Sequence, residues 1–129
     1  MTYSNKSGSK GMLLQIAVIA TLILSTHAVA NNVDVPNHVR SGIEELLKKD
    51  TFFPDDSEDI HLRSYVKLSG KRTTIHRVCG VINTRTRNQN GENSVPFMGN
   101  WYEEDGKRFG SVSIYKSMKY DYVKSRVCD

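Results

Sequence analysis

Two cysteines constrain the fold more than any other feature of this sequence. Cys79 lies mid-chain, Cys128 is the penultimate residue, and there are no others. If they are joined, the end of the chain must return onto the middle of whatever the chain builds. In the loop-entropy picture a bridge over such a span is worth about 4 kcal/mol. That is a large share of the stability of a small domain. The other reading is a reactive thiol, but no C-x-x-C pair is present and Cys128 sits at the chain end.

Whether a bridge forms depends on the compartment, and the first thirty residues bear on that. They contain no acidic residue. Lys6 and Lys10 precede an apolar run from Met12 to Leu24, and Ala28-Val29-Ala30 follows as a small-x-small cleavage signature. This order predicts a signal peptide over residues 1–30 and export to the periplasm or the extracellular space. An uncleaved membrane anchor is the alternative, although Met12–Leu24 falls short of the about 20 residues that span a bilayer. Cleavage leaves a single domain over residues 31–129, with no transmembrane segment. It carries 16 basic against 14 acidic residues, so the +4 of the whole chain becomes +2. Net charge then gives no strong nucleic-acid signal.

Periodicity divides that domain. Val39, Ile43, Leu46 and Leu47 recur at helical spacing and predict an amphipathic helix over residues 36–49, with Asp34 or Asn37 as its cap. From Ile60 the period changes to two. Ile60, Leu62, Val66 and Leu68 alternate with polar residues, and Thr73–Asn83 continues as a second strand. A turn centred on Gly70-Lys71 would pair Leu68 with Thr73, Val66 with Ile75, Tyr65 with His76, Leu62 with Cys79 and Ile60 with Val81. It leaves one misfit, Ser64 opposite Arg77 on the apolar face. Thr84–Ser94 is polar and reads as a loop or long hairpin tip. Val95–Tyr102 and Lys107–Tyr115 read as a hairpin around Asp105-Gly106, pairing Trp101 with Gly110, Gly99 with Val112 and Phe97 with Ile114. Lys116–Asp129 is compatible with either helix or strand. The expected fold is α+β, one N-terminal helix packed on an antiparallel sheet of four to five strands and stapled by a disulfide.

Charge is segregated along the chain. Residues 31–62 hold 8 acids and 3 bases, whereas residues 63–87 hold 7 bases and no acid. In the expected register Arg63, Tyr65, Lys67 and His76 share the outward face of the first hairpin, and Arg85 and Arg87 widen the patch. Such a surface suits an acidic envelope protein or ligand, and the same alternation is what any solvated strand face shows. His38, His61 and His76 have none of the H-x-x-x-H or H-E-x-x-H spacings of a metal site. Asp55-Asp56-Ser57-Glu58-Asp59 lacks the alternating ligands and central Gly of a calcium loop. No serine elbow or glycine-rich phosphate loop occurs. No catalytic residue, metal ligand set or cofactor is therefore assigned.

Two segments together resemble small exported bacterial proteins, some of them phage-associated. Leu47-Lys48-Lys49-Asp50 through Pro54-Asp55-Asp56-Ser57 is similar to their L-x-D-P-x-S-A pattern, with Thr51-Phe52-Phe53 inserted and Glu58 in place of Ala. Val78-Cys79-Gly80-Val81-Ile82-Asn83 is similar to their V-C-G-x-[VI]-N motif. The likeness covers residues 43–102. It implies an exported bacterial domain and carries over no activity. Within the motif, Gly80 suits a close approach of another chain segment, and Asn83 suits a strand end. The expected function is a non-enzymatic exported binding protein of the inhibitor or immunity kind. A small secreted nuclease-like hydrolase using His76 and Arg77, and a structural envelope component, are the alternatives.

Overall fold

The computed structural model describes residues Val33–Asp129. The expected signal peptide, residues 1–30, lies outside the described residues. Helix α1 (Asn37–Lys49) occupies the expected stretch and buries Val39, Ile43 and Leu47. Its cap differs from expectation. Neither Asp34 nor Asn37 caps it. Pro36 is the N-cap, and its carbonyl takes the N–H groups of Val39 and Arg40 at 3.0 Å each. At the other end the Asp50 N–H donates to the Leu47 carbonyl at 3.1 Å, and the Asp50 carboxylate accepts from the Phe52 N–H at 2.9 Å. That side-chain turn competes with further helix and stops it.

Four antiparallel strands follow in simple meander order: β1 (Ser57–Ser69), β2 (Thr73–Thr84), β3 (Ser94–Glu104) and β4 (Lys107–Ile114). One face meets α1. Val39, Ile43 and Leu47 pack with Leu62, Val78, Ile82 and Phe97, flanked by Tyr65, Trp101, Val112 and Ile114. The Trp101 ring lies so close to Gly42 that any side chain on the helix there would overlap it. The β3–β4 hairpin has the expected register, including Trp101 with Gly110 and Phe97 with Ile114. Asp105 and Gly106 both take positive φ, 51° and 78°, as a type I′ turn requires.

The β1–β2 hairpin departs from the expected register for two reasons. Its turn is centred on Lys71-Arg72, with the Gly70 N–H bonded to the Thr73 carbonyl at 2.8 Å. Leu68 therefore pairs with Ile75 and Val66 with Arg77. A bulge then interrupts β1 between Leu62 and Ser64, so Leu62 pairs with Gly80 and Ile60 with Ile82. Arg63 is the extra residue. A single extra residue reverses the phase of the strand. Leu62 and Tyr65 consequently point toward α1, whereas Val66 and Leu68 point away and are 41% and 49% exposed. Ser64, the misfit of the sequence register, pairs with Cys79 once the bulge is in place. Gly80 makes the bulge possible, since a Cβ there would overlap the His61 carbonyl. Asn83 does not end its strand by a turn. It donates to the Asp59 carboxylate at 2.8 Å, across the pair.

One end of the other sheet face is covered by the C-terminal segment. A short helix α2 (Tyr120–Val123) runs into a π-helical turn, Lys124–Cys128. Cys128 is bonded to Cys79, with Cα atoms 6.2 Å apart. Val123 and both cysteines are buried there, with Met98, Tyr115, Tyr120 and Val127 around them. Arg77 donates to Asn100 at 2.9 Å and to the Val127 carbonyl at 3.2 Å, tying the segment to the sheet a second time. The fold is thus α+β, with helical elements, a four-stranded antiparallel sheet and one disulfide.

Candidate functional site

Beneath the first turn of α1, the helix and the strands bring together a dense polar cluster on that face of the sheet. His76 sits on β2 and is 3% exposed. Its Nε2 is 3.0 Å from Glu103 Oε1 on β3, and its Nδ1 is 2.7 Å from the Tyr65 hydroxyl on β1. His38, from α1, places Nε2 2.7 Å from the other oxygen of the same carboxylate. Hydrogen bonds from His76 and His38 hold the Glu103 carboxyl below the usual carboxylate range, against the opposing effect of burial. The carboxylate accepts, so each imidazole presents Nε2–H to it. With His76 neutral, its Nδ1 is then an acceptor and Tyr65 donates. Burial, and then the charges of Glu103 and Asp34, push the Tyr65 phenol up, so it remains a donor. The Tyr65 and His76 rings stack at 5.9 Å, and the His38 ring meets His76 edge-on at 6.0 Å. Arg108 on β4 approaches Glu103 at 3.6 Å.

The binding surface expected from the sequence does not assemble. Tyr65 and His76 do meet, but under α1 and not on an open face, because the bulge at Arg63 turns Tyr65 inward. Lys67 pairs with His76 on that same side and is exposed. Arg63 goes to the opposite face, its guanidinium 4.9 Å from the centre of the Tyr120 ring. Arg85 and Arg87 stand on the loop after β2. Arg87 donates to the Gly91 carbonyl at 2.7 Å within that loop. His76 and Arg77 are neighbours in a strand and so lie on opposite faces, which prevents them from serving one phosphate together.

The face away from α1 holds a second feature. Leu68, Ile75, Tyr102 and Phe109 are direct cross-strand partners, one from each strand. They form an unbroken apolar row across the whole sheet, beyond the reach of the C-terminal segment. Leu68 is 49% and Phe109 51% exposed, and Phe109 stacks on Tyr102 at 4.9 Å. The flanking row is Val66, Arg77, Asn100 and Ser111, and Glu104 with Lys107 flanks the other side.

Sequence reasoning missed His38, Glu103 and the apolar row. Glu103 reads as one of three acids before a turn glycine, and His38 as an exposed residue in a first helical turn. Nothing local marks either as a partner of His76. The row was legible only in part. Tyr102 beside Phe109 follows from the Asp105-Gly106 turn, whereas Leu68 beside Ile75 needs the true register of the first hairpin. No protein-family model, curated protein or solved structure matches the chain.

Proposed function

We propose that the chain is an exported, non-enzymatic binding protein of the inhibitor or immunity kind, which docks an acidic partner protein on the sheet face opposite α1. The observation that carries this reading is the apolar row of Leu68, Ile75, Tyr102 and Phe109, exposed at both ends and half-buried in the middle. An apolar strip of that length, left open on a small domain and rimmed by polar residues, is the usual makings of a protein contact. Arg77 in one flanking row and Lys107 in the other supply positive charge beside it. The disulfide fits an oxidising compartment, and no helix among the described residues is long and apolar enough to cross a membrane.

The test is recovery of partners from a bacterial envelope extract by immobilised protein. Leu68→Glu/Phe109→Glu should lose an acidic partner that the wild type and a Lys67→Glu control both retain. Lys67 belongs to the α1 side, so the control separates the two faces. Equal recovery by all three proteins would remove the proposed surface. A hydrolytic reading is favoured by one observation, the His38–Glu103–His76 array with Tyr65 and Arg108 beside it, since these are acid–base residue types. Cleavage of RNA or DNA that is lost in Glu103→Gln would support it in place of binding.

A further inference from the structure

We propose that His38, His76 and Glu103 form a zinc site that clamps α1 to the sheet. Two imidazole nitrogens and one carboxylate, with a fourth position open to solvent, are a donor set zinc takes readily. Among the described residues, these three present one ligand atom each, all within 4.8 Å of one another. Tetrahedral zinc with ligands at about 2.0–2.1 Å needs donor atoms about 3.3 Å apart. The present separations of 2.7 Å and 3.0 Å to the carboxylate are within side-chain adjustment of that value.

The surroundings suit a metal as well as the ligands do. His76 is held from behind by Tyr65, whose hydroxyl lies 2.7 Å from Nδ1. A metal-bound imidazole needs a fixed tautomer, set by a partner on its other nitrogen. Tyr65 fills that role by a simple exchange. On metal binding the His76 proton moves from Nε2 to Nδ1, and the tyrosine hydroxyl turns from donor to acceptor. His38 likewise carries its proton on Nδ1 once Nε2 holds the ion. The His38 side chain is 43% exposed, which gives the ion a way in and leaves room for a water ligand. Arg108 is paired with Glu103, and exposed Lys67 is the cross-strand neighbour of His76. The Arg108 side chain is 63% exposed, so it can swing into solvent as the ion enters. The three ligands come from α1, β2 and β3, so a bound ion joins the helix start to the sheet.

The experiment uses the purified, oxidised protein and zinc alone, with affinity read by competition against a chromophoric chelator. One equivalent of zinc should bind, and nitrogen resonances of His38 and His76 should shift while those of His61 stay in place. Cobalt should give the intense visible absorption of a tetrahedral site. His38→Ala removes an exposed ligand, and retained circular dichroism will show that it folds. It should abolish the tetrahedral cobalt spectrum, whereas His61→Ala should leave it unchanged. Tyr65→Phe should weaken zinc about ten- to a hundredfold through loss of the tautomer partner. No binding, binding reported by His61, or affinity unchanged in His38→Ala would each overturn the site and leave the cluster a hydrogen-bonded latch.

Discussion

The two faces of the sheet are built from the same four strands and have opposite fates. Under α1 the face is closed. Ile43 lies on Gly99, Trp101 lies on Gly42, and even the polar residues His76 and Tyr65 find partners within the seam. The other face is covered only at one end, where the C-terminal segment is pinned by Cys79–Cys128. Its far end leaves Leu68 and Phe109 in solvent. The difference lies in what covers each face and by what force. The helix is held by apolar burial along its length, whereas the C-terminal segment has one buried valine, Val123, the Arg77–Val127 hydrogen bond and a covalent bond. A short helix with so little to bury cannot hold itself down, so the bond does most of that work.

Removing the bond is the strongest way to break the comparison. Cys79→Ala/Cys128→Ala should cost about 4 kcal/mol in denaturant unfolding. Amide exchange should show residues 116–129 losing protection first, with α1 unaffected. Ile43→Ala, on the closed face, should cost about 3 kcal/mol, because it leaves a cavity between Gly99 and the helix that the sheet cannot collapse into. Glu103→Gln tests the polar part of that face. It removes the charge that both imidazoles share and should cost about 1–2 kcal/mol, with the His76 ring signals broadened. On the open face, Leu68→Ala and Phe109→Ala should each change stability by less than about 0.5 kcal/mol, since their side chains are half in water already. A large loss there would mean that the open face is covered in the folded protein.

The smallest effect concerns the loop after β2. The Asp56 carboxylate accepts from the Thr86 hydroxyl and, at 3.0 Å, from the Thr86 N–H. Those bonds lower its pKa from the ordinary 3.8. A depressed folded value means the tie is fully present above 3.8 and is lost as pH falls through the lower value. The Thr86 amide should therefore keep its chemical shift from neutral pH down to about 4 and move only below it. Asp56→Asn should abolish that titration without altering either face of the sheet.

These contrasts also locate what could be read in advance. The α1 stripe, the β3–β4 register and the Gly80 approach follow from neighbours in sequence, and the structure has them as expected. The β1–β2 register does not, and Ser64 was the clue. A small polar residue left on an apolar face marks the bulge at Arg63, which moves it beside Cys79 instead. The expected basic surface failed for the same reason, since the phase of Tyr65 depends on that one inserted residue. His38 and Glu103 gave no comparable clue.

By itself the sequence determined α1, the four strands, the Asp105-Gly106 hairpin and the two cysteines available for a bridge. Helical spacing, strand alternation and turn chemistry are properties of a few adjacent residues, and each acts before the chain is folded. Only the tertiary structure decided which face of β1 turns inward, because alternation of period two reads equally well from either side. Only it brought His38, His76 and Glu103 together, because they come from three elements and meet only when α1 closes on the sheet. The same closure leaves Leu68, Ile75, Tyr102 and Phe109 outside, since one helix can cover one face of a four-stranded sheet and the short C-terminal segment covers only part of the other.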